Sequence, residues 1–325
     1  MRYTLILLPI MLLSLCTARA RAQGCSDAGV CTAGPIGELQ ITPDSMGTTD
    51  ATRHMARLTF SYGAGEQGVV VVQVVPEIAI GITERLGVQV KVPYMNASGN
   101  LGANSGVGDP TVSFSYVAHK AKDRRLDLVL GTKINANEAD ARSADGLSLP
   151  MPYQTSLGTT DLLAGVNYRW KRWSAALAYQ HVLSNNNANG FSHEAWMDDM
   201  DALGYFESAF LQRANDAVVR LQHRIPVSSG LVVQPGALAI VHTGMDSRLE
   251  QPRMGPAGPV IGPLERRDID GSEGLTLNLT IDARWTFAEN WALELAYGTP
   301  FIVRDSRPDG LTRSMVLNAG LRYGF

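Results

Sequence analysis

The last thirteen residues, Arg313 to Phe325, constrain the fold most. Met315, Leu317, Ala319, Leu321, Tyr323 and Phe325 take one parity, while Val316, Asn318, Gly320, Arg322 and Gly324 take the other. This is the period of two of a β-strand whose faces meet different surroundings. The apolar parity closes on an aromatic pair, with Phe as the final residue. In a strand that crosses a bilayer, the apolar parity faces lipid and the other faces water or a polar plug.

The same alternation returns at 55–63, 69–82, 87–95, 109–118, 125–135, 160–170, 172–183, 214–225, 231–242, 274–286, 291–303 and 313–325, giving twelve candidate strands. Each is near the ~9–11 residues that a tilted transmembrane strand needs. The pattern is clearest where Leu275, Leu277, Leu279 and Ile281 interleave with Thr276, Asn278, Thr280 and Asp282. The connections alternate in length. Thr83-Glu84-Arg85, His119 to Arg124, Trp170-Lys171-Arg172-Trp173, Val227 to Gly230 and Ala288-Glu289-Asn290 are short. Those between them, 96–108, 136–159, 184–213, 243–273 and 304–312, are mostly long and polar, with Gly63 to Gly68 as the short exception. Short periplasmic turns opposite long outer loops predict an all-β chain: an antiparallel up-and-down transmembrane β-barrel over 55–325, in a Gram-negative outer membrane. Trp170, Trp173, Phe287 and Trp291 flank short turns, where an aromatic girdle sits. The strand ending at Phe325 resembles the signal read by the barrel assembly machinery, and membrane lipid is the other expected partner.

The N-terminus predicts export. Arg2 precedes an apolar run from Leu5 to Cys16, and Ala20-Arg21-Ala22 supplies a small-x-small cleavage site, so 1–22 reads as a signal peptide. Leu15 stands where a lipoprotein site needs a small residue, which places Cys16 in the discarded peptide. Removing 1–22 takes away Arg2, Arg19 and Arg21 and no acid, leaving a net charge of −6 rather than −3. Nothing in that balance calls for nucleic acid. From Gln23 to His54 the chain is rich in Gly, Pro, Ser, Thr and Asp, a periplasmic segment or a plug inside the barrel. In an exported chain Cys25 and Cys31, with no His or further Cys beside them, favour a disulfide loop over a metal site.

Taking the apolar parity outward leaves Arg57, Glu77, Lys91, Asp127, Lys133, Arg169, Arg220, Arg224, Asp282, Arg284, Glu294 and Arg322 facing inward. Charge at membrane depth is tolerated where it meets water or a partner. Eight bases against four acids make a basic, anion-preferring lumen one reading and a salt-bridged interior another. Proline cannot donate to a ladder, so Pro76, Pro93, Pro235 and Pro300 predict bulges or kinks. Pro76 and Pro93, in neighbouring strands, mark a place where the wall would open sideways. In loop four, Trp196, Met197, Met200, Leu203, Phe206, Phe210 and Leu211 recur mostly at spacings of three and four, an amphipathic helix that would capture apolar solute at the mouth.

Motifs for enzymatic or cofactor chemistry are missing: no Walker loop, no G-x-S-x-G and no H-E-x-x-H. Glu194, Asp198, Asp199 and Asp201 lack the spacing and turn Gly of a calcium loop. Outer-membrane phospholipases carry His and Ser two residues apart on one outward face. Here His181 and Ser184 are three apart and take opposite parities. The chain therefore reads as neither an enzyme nor a cofactor binder.

Three stretches carry a resemblance. Pro76-Glu77 with Gly81-Ile82-Thr83-Glu84-Arg85-Leu86-Gly87 and Val92-Pro93-Tyr94, then Gly106-Val107-Gly108-Asp109, then Thr160-Asp161-Leu162 with Val166-Asn167-Tyr168 resemble the outer-membrane proteins of the meta-pathway of phenol degradation. The resemblance spans about residues 70 to 325. It implies a barrel and passive transport of small aromatic or other hydrophobic molecules. It supplies no catalytic residues, and neither the Cys25–Cys31 loop nor the long fourth loop belongs to its pattern.

Overall fold

The computed structural model describes residues 54–197, 199–251, 262–310 and 313–325. The signal peptide and the Cys25–Cys31 loop expected from the sequence lie outside them. Among the described residues the chain forms a closed antiparallel barrel of twelve strands. They are β1 (His54–Gly65), β2 (Val70–Gly81), β3 (Leu86–Lys91 and Tyr94–Gly99), β4 (Gly102–Val107 and Thr111–Ala121), β5 (Arg124–Lys133) and β6 (Thr159–Trp170). After them come β7 (Trp173–Asn185), β8 (Asp216–His223, continued by Ile225–Pro226), β9 (Leu231–His242), β10 (Gly274–Ala288), β11 (Trp291–Ile302) and β12 (Arg313–Gly324). Each strand pairs with its sequence neighbours, and β1 pairs with β12 from Met55↔Gly324 to Gly65↔Arg313, which closes the cylinder. Up to the level of Thr111 and Lys133, closure removes the free sheet edges that lipid could not satisfy.

Alternation assigns the faces. Along β5, Arg125, Asp127, Val129 and Lys133 are buried inside while Leu128 and Leu130 are exposed outside. The outward set of the other strands, including Phe60, Ile78, Leu177, Leu279 and Leu321, forms a continuous apolar exterior. Both described ends of the barrel meet at the short-turn end: His54 N donates to Phe325 O (3.2 Å) and Phe325 N to His54 O (3.0 Å). That end is therefore periplasmic. Its turns are locally made; the Thr83 hydroxyl accepts from Arg85 N (3.2 Å) and Leu86 N (2.9 Å). Trp285, Phe287, Trp291, Tyr323 and Phe325 are exposed or partly exposed there, Trp291 and Tyr323 with ring centroids 4.7 Å apart. No described helix is long and apolar enough to cross a membrane.

Two local expectations change. The segment 96–108, expected as a loop, extends β3 and β4 outward as a hairpin from Tyr94↔Val107 to Gly99↔Gly102. Its residues are small and polar on both faces, so no apolar period betrays the strands. The helix expected over Trp196 to Phe210 is instead two short 3-10 turns, Glu194–Trp196 and Met200–Gly204. The Asp199 carboxylate accepts from Asp201 N (2.9 Å), which starts a fresh turn where a helix would have continued.

Candidate solute pathway

Inside the periplasmic half, the inward charges are grouped around carboxylates. Arg57 sits between Glu77 (2.6 Å) and Glu294 (3.0 Å), and Lys91 approaches Glu77 at 3.7 Å. Arg284 (2.9 Å) and Arg322 (3.9 Å) share the same Glu294. Arg220 meets Asp282 at 2.5 Å, with Gln222 donating to the same oxygen at 2.6 Å. Asp127 takes Arg125 at 2.7 Å and Arg169 at 3.8 Å. Arg224 lies at the foot of the wall, its N–H on Arg172 O (2.7 Å). Beside Glu294 and Asp282 a small cavity opens, lined by Arg57, Thr59, Gln222, Gln234, Arg284 and Asn318 among others. The described lumen is thus a charge-paired, water-compatible chamber on the side of β8 to β12 and β1.

At the outer end of β5, Lys133 is fully buried. Its ammonium reaches Asp109 (2.8 Å), Asp161 (3.2 Å), and the hydroxyl (2.9 Å) and carbonyl (3.1 Å) of Thr159. Asp109 also accepts from Ala136 N (2.9 Å), which fixes the point where the chain leaves β5 and folds inward. A buried ion is held only when paired and hydrogen-bonded on all sides.

The wall changes at that level. Pro93 separates the two segments of β3, and Gly108 to Pro110 separate those of β4, with Gly108 N donating to Pro93 O (2.8 Å). The ladder between β4 and β5 stops at Thr111↔Lys133. Beyond it, the outer segment of β4 pairs with β3 and, among the described residues, with no strand on its other side. The loop 136–158 lies against it instead: Asn104 Nδ2 donates to Tyr153 O (3.0 Å), and a Cβ at Gly106 would stand 3.6 Å from the Thr155 hydroxyl. Pro76 does not break its strand. It pairs with Leu58, and its carbonyl accepts from Val92 N (3.2 Å), because only its missing N–H is lost to the ladder. Pro235 likewise stays within a continuous β9, whereas a register shift accompanies Pro300 in β11.

The outer mouth is filled by loops. Val69, Val71, Met95, Leu149, Tyr153, Phe191, Trp196 and Tyr205 form one buried apolar core. Trp196 Nε1 donates to Ser148 O (2.9 Å), and the Tyr153 and Tyr205 hydroxyls lie 2.9 Å apart. Burial and this hydrogen bond push the Tyr205 phenol well above its usual range. Of the other expected capture residues, Met197 and Met200 are 76% and 77% exposed, Phe210 is exposed, and Phe206 lies under the Arg307 guanidinium at 5.4 Å. Next to the apolar core is a buried ionic cluster. Arg213 bridges Asp216 (2.7 Å) and Asp309 (3.3 Å), and Arg304 holds Asp309 at 2.8 Å. His242 places Nδ1 2.6 Å from Asp216 and Nε2 2.7 Å from Asp246. Arg213, Asp246 and the Arg304–Asp309 pair come from three outer connections, and Asp216 and His242 from the outer ends of β8 and β9, so the cluster ties the loops to one another and to the wall.

Sequence reasoning assigned Lys133 inward but missed Asp109, Asp161, Arg125 and the whole Arg213–Asp309 cluster. Arg125 and Asp161 share the inward parity of their strands and were legible in principle. The loop residues carry no periodic signal. His181, weighed as a catalytic base, is exposed and faces Asn215 Oδ1 (3.1 Å) rather than Ser184.

Among solved structures, the chain is similar to an outer membrane channel from Pseudomonas putida F1, at 15% identity and a TM-score of 0.52, over 88% of this chain and 100% of that one. The fold is that of an outer-membrane β-barrel. The barrel is also similar to the KdgM porin (8% identity, TM-score 0.42, 83% and 99% covered) and the NanC porin (8%, 0.46, 83% and 100%). No family model matches the chain, and no curated protein matches it by sequence. An apolar exterior, an aromatic lower rim and this fold place the barrel in a Gram-negative outer membrane.

Proposed function

We propose that the barrel is a passive channel for small hydrophobic or aromatic molecules, which leave it sideways into the bilayer through the wall beside β4. The observation that carries this reading is the end of the β4–β5 ladder at Thr111↔Lys133, above which a loop rather than a strand stands next to β4. A charge-paired lumen is a poor path for an apolar solute, since such a solute cannot replace the water that solvates those ions. A side exit above that level avoids it. Loop four, with Met197, Met200 and Phe210 exposed, supplies apolar surface at the entrance. Pro93, Gly108 and Pro110 are the hinges of this exit, and Pro76 has no part in it.

The test is a reversible staple. Gly106→Cys with Thr155→Cys would join β4 to the loop behind it, since the Gly106 Cβ position lies 3.8 Å from Thr155 Cγ2. Vesicles containing the oxidised protein should take up an aromatic probe no faster than empty vesicles, and reductant should restore uptake. Uptake that ignores the staple would remove the lateral route.

One observation favours a second reading. Five bases, Arg57, Lys91, Arg220, Arg284 and Arg322, stand inside the periplasmic half against three carboxylates, Glu77, Asp282 and Glu294, so the chamber carries surplus positive charge. An anion-preferring pore would result. In a planar bilayer with a salt gradient, a reversal potential on the anion side supports it, and steady silence from the folded barrel supports the lateral channel alone.

A further inference from the structure

The periplasmic rim is electrically lopsided. Adjacent turns from β2 to β7 carry Arg85, Lys120, Lys122, Arg124, Lys171 and Arg172, all exposed, against Glu84 and Asp123. The described turns on the opposite side carry Ser228 and Ser229 in one and Glu289 in the other. Among the described residues none of those six basic side chains enters an ion pair. The basic turns are joined into one rim by their backbones: Val117 N donates to Arg85 O (2.8 Å), Lys171 N to Asp123 O (2.8 Å) and Arg224 N to Arg172 O (2.7 Å). Like charges fixed side by side repel, so the arrangement is costly without a counter-charge.

Where the charges point identifies the counter-charge. Arg124 continues the outward parity of Leu128 and Leu130 and stands directly across from Trp170 in the β5–β6 ladder. Lys171 lies with its ammonium 5.4 Å from the centre of the Trp170 ring, and Trp173 beside it is exposed. Lipid-facing tryptophans mark the headgroup level, and bases at that level reach phosphates from the membrane side. A soluble acidic protein would approach from below, where Arg124 does not point. We infer that this half of the rim binds anionic phospholipid of the inner leaflet, with Arg124 and Lys171 as the headgroup contacts and Trp170 and Trp173 as the glycerol-level platform.

Native mass spectrometry of the folded, detergent-solubilised protein with cardiolipin or phosphatidylethanolamine tests this. The protein should retain cardiolipin preferentially. Arg124→Gln with Lys171→Gln should weaken that preference about fivefold per charge, from about 1 kcal/mol for each base near an anionic surface. Arg124→Lys with Lys171→Arg should keep it. Each variant's folded state is checked by its heat-dependent gel mobility. Equal retention of the two lipids by the wild type overturns the proposal, as does an unchanged preference in the Gln variant. So does a rim that ignores both lipids yet binds polyglutamate, which would assign it to a protein partner.

Discussion

Asp309→Ala is expected to unseat the outer cap and cost about 3–5 kcal/mol, the usual penalty for removing one partner of a buried ion pair. The carboxylate is fully buried and holds both Arg213 and Arg304, so its loss leaves two guanidinium groups without their shared counter-ion. A drop in the temperature at which the folded band disappears on a gel would measure the destabilisation. A rise in single-channel conductance would report that the loops had let go. Wild-type conductance and heat resistance together would show that the cluster does not hold the cap. Acid should imitate the substitution. Burial opposes ionisation of Asp309, but the Arg304 and Arg213 guanidinium groups outweigh it and hold the carboxyl below its usual range. Its folded value is thus lower than the unfolded one of about 3.9, and the stabilisation is complete above about pH 4 and lost as pH falls through the folded value. The cap should stay shut from neutral pH to about pH 5 and loosen only in stronger acid.

Lys133→Met is expected to be the other severe change, again about 3–5 kcal/mol. Methionine fills a similar space, but Asp109 and Asp161 would then be buried with no cation between them. Asp109 anchors Ala136 N, so its displacement should free the loop from the wall beside β4. Lower heat resistance together with faster uptake of an aromatic probe would fit this. Adding Asp161→Asn should restore part of the stability, because it removes one of the two opposed charges. If Lys133→Met weakened the fold while uptake stayed constant, the lysine would be a fastening of the barrel and not of the exit.

The sequence determined the barrel. Strands whose faces meet lipid on one side and water on the other must alternate, and a strand's side-chain period of two prints that alternation directly in the chain. Leu275 to Asp282 and Met315 to Phe325 are legible for this reason, as is the inward direction of Arg57, Glu77 and Lys133. The alternation in connection length fixed which end faces the periplasm. The outer segments of β3 and β4 were not legible, since small polar residues on both faces leave no contrast to read. Only the tertiary structure decided which charges meet. Arg213, Arg304 and Asp309 come from two connections and meet Asp216 and His242 at the outer ends of β8 and β9, and a loop has no period that would place its side chains. It also decided that β2 and β3 keep one register through Pro76 and Pro93, that the β3–β4 register shifts by one across Gly108 to Pro110, and that the β4–β5 ladder ends at Thr111↔Lys133. Each proline costs its ladder only the missing N–H, whereas whether a neighbouring strand continues, as β5 does not past Lys133, is settled by pairing in three dimensions.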